Sequence, residues 1–319
     1  MKDQRLEAKH RPTSWNNYVG NEEIVVLLQN IEEKGFYKMP CILLSGPPGC
    51  GKSLAAEIIS RNMKKKTKYL IFDKLNASDK RKLDDIRDLK SQAEKTNPRI
   101  IFMDEFDSVT EKAQEALRVI MEDPLYGNTR WIISCNNPNQ IIPAIQSRCA
   151  IFRFDNHSME TIGAFLTDIL TSENVEYDIK DPDFQAAIYY LIDERDNDLR
   201  GCINQLSTII AEDGRLTLSG VVKTLPVKEA SKVIHLAYKG KFKEAATILD
   251  DVLVQKSHDW RKITKAWFKA IGKMEDKEHA KRCFIALSEY EDRCSRGSNP
   301  RTHLHAFISF IAMLQYLNQ

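Results

Sequence analysis

Between residues 41 and 154, short apolar runs alternate with longer stretches of helical periodicity. The runs are Cys41-Ile-Leu-Leu-Ser45, Tyr69-Leu-Ile-Phe72, Arg99-Ile-Ile-Phe-Met103, Arg130-Trp-Ile-Ile-Ser134 and Ala150-Ile-Phe-Arg-Phe154. Each is of strand length and apolar at consecutive positions, the pattern of a strand covered on both faces. With helices between them, such strands lie parallel, so the expectation is a three-layer α/β domain over residues 1–155. After Phe154 the strand pattern stops. Residues 156 to 222 read as helices with polar breaks at Glu194 to Asp198 and at Asp213-Gly214, which gives a small helical domain over 156–225. Pro226 interrupts, and apolar positions then recur at helical spacing through Val233, Leu236, Ala237, Ala245, Ile248, Leu249 and Val252. A second helical domain is expected over 226–319. The apolar stretch Leu304 to Leu317 falls short of the ~20 residues that span a bilayer and reads as a buried helix.

Composition narrows the class. Hydrophobic residues make up 42% and charged residues 29%, the balance of a soluble globular protein rather than a disordered or membrane one. The start Met1-Lys2-Asp3-Gln4-Arg5 lacks the apolar core of a signal peptide, so an intracellular protein without membrane partners is expected. Net charge is only +2, from 47 basic and 45 acidic residues, and a nucleic-acid partner would have to be met by a local basic patch. The seven cysteines form no Cys-x-x-Cys pair, which argues against a zinc knuckle and a redox dithiol. His303 and His305, two apart, point to different sides of a helix, and no metal is assigned to them.

Chemistry enters with Gly46-Pro47-Pro48-Gly49-Cys50-Gly51-Lys52-Ser53, which fits the pattern G-x-x-x-x-G-K-[ST] directly after a strand and at the opening of a helix. Glycines let backbone N–H groups turn inward around phosphates, and the helix start adds its positive dipole end. Lys52 then reaches the β- and γ-phosphates of ATP, and Ser53 supplies a hydroxyl ligand to Mg²⁺. The second half of the site is Ile100-Ile-Phe-Met-Asp104-Glu105-Phe-Asp107, an apolar strand that ends in acid. Sheets of this kind bind ligands at strand ends. Asp104 is expected to hold Mg²⁺ through its water shell, and Glu105 to orient or deprotonate the attacking water.

From about Leu6 to Leu206 the sequence resembles the small subunits of replication factor C, the AAA+ ATPases that load sliding clamps onto DNA. The residues that carry the likeness are Lys9-His-Arg11-Pro12, Val19-Gly20-Asn-Glu-Glu23, the phosphate loop, Leu75-Asn-Ala-Ser-Asp79, Asp104-Glu105, Ala113-Gln-Glu-Ala-Leu-Arg118, Ser134-Cys-Asn136 and Gln146-Ser-Arg148-Cys149. The Ser-Arg-Cys motif is the most diagnostic. The resemblance implies a P-loop AAA+ domain with a parallel sheet, a helical lid and a C-terminal helical collar that holds subunits in a ring. It makes Arg148 an arginine finger presented to a neighbour's ATP, where a guanidinium neutralises charge on the γ-phosphate. By the same likeness Asn136 is the polar sensor of that phosphate, and Arg200 in Asn197-Asp-Leu-Arg200 is a second sensor from the lid. Arg11, Pro12, Val19 and Gly20 match the segments that cradle adenine, and Leu54 follows the phosphate loop into the same site.

The resemblance further implies a sliding clamp, primer-template DNA and other clamp-loader subunits as partners, in a pentamer with a distinct large subunit. Arg81 and Arg87 match positions that track the template backbone, where phosphate contacts position without reading sequence. Lys64-Lys65-Lys66 reads as solvated surface. Departures from the pattern are His10 in place of an aromatic neighbour of the base, Asn197 in place of Gly, Phe106 in place of Ala, and Val119 where many relatives are basic. The alternatives are another AAA+ DNA-remodelling motor, for branch migration or repair, and a ring member that binds ATP without cleaving it. Intact Glu105 and Arg148 argue against the last.

Overall fold

The computed structural model describes residues 5–77, 97–224, 227–255, 260–296 and 299–314. The chain divides into two compact units, Met1–Arg215 and Leu216–Gln319. The first is built on a parallel sheet of β1 (Cys41–Ser45), β2 (Ile71–Asn76), β3 (Arg99–Asp104), β4 (Thr129–Cys135) and β5 (Cys149–Arg153), in the order β2-β3-β4-β1-β5. The three-layer α/β reading of the sequence therefore holds.

Successive side chains of a strand point to opposite faces, and both faces here are apolar. On one, Leu43, Ile101, Met103, Trp131 and Ile133 pack with Ala113, Leu117 and Ile120 of helix Glu111–Glu122. On the other, Ile42, Leu44, Ile100, Phe102 and Ile132 meet Ala55, Ala56, Ile59 and Met63 of helix Lys52–Lys66. Each fully buried side chain of this size contributes roughly 1.5–3 kcal/mol of transfer free energy, so the central strands fix the frame. The edge strand differs from expectation. It starts at Ile71 rather than Tyr69, because Tyr69 takes φ 58 in a turn and is 79% exposed. It runs on through Asp73 to Asn76, where pairing to β3 outweighs the loss of apolar character.

Helices Met159–Ser172, Pro182–Glu194 and Leu199–Asp213 pack on one another through Ile162, Leu166, Phe184, Leu191, Cys202 and Leu206. The last ends at Gly214, whose φ of 69 stops the helix. Helix Leu6–Lys9 packs against helix Leu199–Asp213 and carries the N-terminal segment to the phosphate loop.

The second unit is helical, with a core of Val233, Ile234, Trp267, Cys283, Leu304, Phe307 and Ile311. Trp267 stacks on Phe307 at 5.2 Å and donates its indole N–H to the Ala230 carbonyl at 2.9 Å, so the largest core side chain is polar-satisfied. Helix Pro300–Leu314 buries Leu304, Phe307, Ile308, Ile311 and Leu314 in this core and leaves Met313 exposed. No helix among the described residues is long and apolar enough to cross a membrane.

Candidate functional site

The strand order sets the site. β3, β4 and β1 are neighbours, and their carboxyl ends deliver Asp104, Asn136 and the loop after Ser45 to one edge of the sheet. In the loop, Gly49 and Gly51 have φ 79 and φ 96, a region that favours glycine. A Cβ at Gly49 would also collide with the Asp198 carboxylate, and one at Gly51 with the Tyr18 hydroxyl. Gly51 caps helix Lys52–Lys66 without a side-chain bond, which leaves its first N–H groups facing the loop, as an anion site requires.

Lys52 is only 7% exposed, and its ammonium donates to Gly46 O at 2.7 Å, Pro47 O at 2.7 Å and Asn136 Oδ1 at 3.0 Å. Three donors thus meet three oxygens, which compensates a charge held out of water. Cys50 lies buried beneath; burial pushes its thiol up against the pull of Lys52. Pro48 sits on the outer, exposed side of the turn.

On the acidic side, Asp104 Oδ1 accepts from Ser53 Oγ at 3.0 Å and from Ser134 Oγ. Ser134 is buried in β4 and also accepts the Glu105 N–H at 3.2 Å, so one serine suspends both acidic residues. Glu105 is exposed and takes φ 58, ψ 41, an uncommon conformation for a residue with a side chain and one that recurs at active sites. Asp107 Oδ2 accepts from the N–H groups of Asn136 and Asn137, both at 3.1 Å, and holds the end of β4 against β3. A hydroxyl and a carboxylate joined across the ends of β1 and β3 make a hard-oxygen pair of the kind that takes a hydrated Mg²⁺.

The cleft beside the loop is lined by Pro12, Val19, Leu54, Phe165, Leu199 and Ile203, together with Arg11, Lys52, Ser53 and Arg200. A largely apolar slot of this kind, with a phosphate-loop lysine in its wall, suits a base joined to phosphates. Arg200 Nε pairs with Glu7 Oε1 at 2.7 Å, and Arg11 Nη2 with Glu57 Oε2 at 2.8 Å. Gly20, at φ 70, abuts the ring of His157. Around this cleft three buried polar atoms have no partner: Tyr18 Oη, His157 Nδ1 and Asp198 Oδ1. Burial pushes the Tyr18 hydroxyl up and the His157 imidazole down, so both are neutral near pH 7.

Arg148 stands apart. It follows helix Pro143–Gln146, and its guanidinium bonds Glu122, the Ala144 carbonyl and Ser147 Oγ; it is not among the residues that line the cleft. Arg81 and Arg87 lie outside the described residues. Ser134, Tyr18, His157 and Phe165 carry no assigned role in the sequence reading. Ser134 opens the Ser134-Cys-Asn136 motif and Tyr18 adjoins Val19, so motif membership and adjacency are the signals that could have found them.

A five-stranded parallel sheet, a glycine loop after its first strand and an acidic pair after its third together define an ATPase of the AAA class. The family described as "ATPase family associated with various cellular activities (AAA)" matches residues 42–156. The likeness to individual proteins runs much further than that domain. Over 318 residues the chain is 35% identical to a replication factor C small subunit of Methanococcus maripaludis, covering 96% of this chain and 98% of the other. It is 33% identical to that of Archaeoglobus fulgidus (96% and 96%) and 32% identical to that of Halobacterium salinarum (96% and 95%). The chain belongs to the replication factor C small-subunit family. Among solved structures, the Thermotoga maritima RuvB Holliday junction branch migration motor aligns with TM-score 0.57 at 16% identity, over 83% of this chain and 86% of that one. A second RuvB structure from that organism gives 0.57 at 18% identity, over 78% and 88%. At such identity the likeness is one of fold.

Proposed function

We propose that this chain is an ATP-hydrolysing subunit of a clamp loader, working inside the cell in a ring with other subunits to place a sliding clamp on primer-template DNA. One observation carries the reading: three adjacent strand ends bring Lys52, Ser53, Asp104, Glu105 and Asn136 together, while Arg148 stands outside that cleft. Such a site is complete in all but the finger that a neighbouring subunit would contribute.

Bound ATP supplies a γ-phosphoryl group for transfer to water, with Mg²⁺ to neutralise its charge. Lys52 holds the β- and γ-phosphates in place of the carbonyls that it bonds here. Ser53 would hold Mg²⁺ through its hydroxyl and Asp104 through the ion's water shell. Glu105, suspended from Ser134, orients the attacking water and takes its proton. Asn136 and Arg200 report the γ-phosphate to the end of β4 and to the helices after residue 156. Residues 1–155 then serve as the nucleotide-binding part, 156–225 as lid and 226–319 as collar. Arg81 and Arg87 contact template phosphates, and the ring is a pentamer with a distinct large subunit.

The test is ATPase activity of the assembled complex with and without clamp and primed DNA. Synergistic stimulation by the two together is expected. Indifference to the clamp would overturn the reading in favour of another DNA-remodelling motor, and absence of hydrolysis would leave a ring member that only binds ATP.

A further inference from the structure

β2 pairs with β3 so that Lys74 lies opposite Phe102, and Asn76 opposite Asp104. Lys74 and Asp104 are therefore diagonal neighbours on one face of the sheet, within reach of a long side chain. The Lys74 ammonium is 3.9 Å from Asp104 Oδ2, 2.7 Å from Glu57 Oε1 and 5.7 Å from the centroid of the Phe102 ring. Glu57 offers its other oxygen to Arg11 at 2.8 Å. A line of alternating charge thus runs Arg11, Glu57, Lys74, Asp104, from the base side of the cleft to the carboxylate on the metal side. Burial pushes the Glu57 carboxyl up, but hydrogen bonds and charge from Lys74 and Arg11 bring it below the ordinary value, so Glu57 is an anion that holds both cations.

A fixed cation beside a metal-binding carboxylate has two effects of opposite use. It neutralises the carboxylate when no metal is there, and it repels a divalent cation that arrives. On the nucleotide-site reading above, we propose that Lys74 is an internal competitor for the metal at Asp104, and that Glu57 is the tether that draws it back. Lys74 then sets the Mg²⁺ concentration at which the site closes on nucleotide. Neither residue touches the reacting atoms; Lys74 acts through Asp104 and Glu57 acts through Lys74.

The two residues predict shifts of opposite sign. In full-length protein, the Mg²⁺ midpoint for binding a fluorescent ADP analogue should fall about two- to fivefold in Lys74→Met, the scale of a half-exposed charge pair. Lys74→Gln should behave alike, which separates loss of charge from any packing fault of Met, and Lys74→Arg should stay near the parent. Glu57→Gln releases the ammonium toward Asp104 and should raise the midpoint, while the double variant with Lys74→Met should follow the Lys74 single variant. The shifts should shrink as monovalent salt rises. A midpoint unchanged or raised in both neutral Lys74 variants, or moved the same way by Glu57→Gln, overturns the inference. Lys52→Ala distinguishes the two levels: it should abolish binding at every Mg²⁺ concentration, and if it does not, the nucleotide-site reading falls and this inference with it.

Discussion

His157 is 5% exposed, with one edge of its ring against Gly20 and its Nδ1 unpartnered, while its carbonyl accepts from Asn197 Nδ2 at 2.9 Å. Burial lowers its affinity for a proton, and Glu22 and Asp198 only partly restore it. The unfolded chain therefore takes up that proton more readily than the folded one below about pH 6.5, the ordinary histidine value. This residue's contribution is therefore full above the unfolded value and is lost as pH falls through the lower folded one. We expect the melting temperature of the wild-type chain to drop relative to that of His157→Gln as pH falls from about 7.5 to about 5.5. A constant difference between the two across that range would mean that the ring escapes burial or finds a partner. The same neighbourhood accounts for Asn197. Its φ is 60, a conformation in which Gly and Asn are the residues of least cost, so an asparagine stands here with little strain and adds a bond to the His157 carbonyl.

At the scale of elements, Gln114 is the buried tie. Its side chain is 2% exposed on helix Glu111–Glu122. Its Nε2 donates to Val109 O at 3.0 Å and Gln140 O at 2.9 Å, and its Oε1 accepts from Ile142 N at 2.9 Å. One amide thereby joins the turn after the acidic box to the turn that leads from Asn136 to Arg148. Gln114→Leu keeps the bulk but leaves two carbonyls and an N–H without partners, at a cost of about 1–3 kcal/mol for each group left unpaired. Denaturation at lower urea and faster amide exchange at Ile142 are the expected readings; protection unchanged at Ile142 would show that the tie carries no load. The sequence foretold much of this frame, since β1, β3 and β4 are buried on both faces and their apolar runs are unbroken. β2 was misplaced because an edge strand needs pairing more than burial, and Ile71 to Asn76 mixes Asp and Lys with apolar residues. Motif positions such as Lys52 and Asp104 were legible because phosphate and metal chemistry fix both residue type and spacing. Lys74, Glu57 and His157 were not, because their setting arises from strand register and from helices distant in sequence.

For the whole molecule, the decisive residue is the one that the cleft leaves out. Arg148 is exposed beside Glu122, which also takes Arg118 at 2.9 Å, so two guanidinium groups share one carboxylate at a surface outside the cleft that the chain's own phosphate loop borders. If Arg148 serves a neighbour, each chain supplies half of a working site, and an isolated chain should bind ATP yet hydrolyse it slowly. Assembly should raise the rate by bringing the finger in trans, an effect worth roughly 10³ to 10⁵ where such fingers act. Complementation checks the direction. Arg148→Ala leaves a chain with its own phosphate loop intact, and Lys52→Ala leaves a chain with a finger but no grip on the phosphates. Mixed in one assembly, the first should regain fast hydrolysis wherever the second lies on the side that presents Arg148, although alone the first turns over no faster than an isolated chain and the second not at all. If both variants still assemble and the mixture never exceeds the two measured separately, Arg148 acts within its own chain or not at all, and the shared-site reading has to be abandoned.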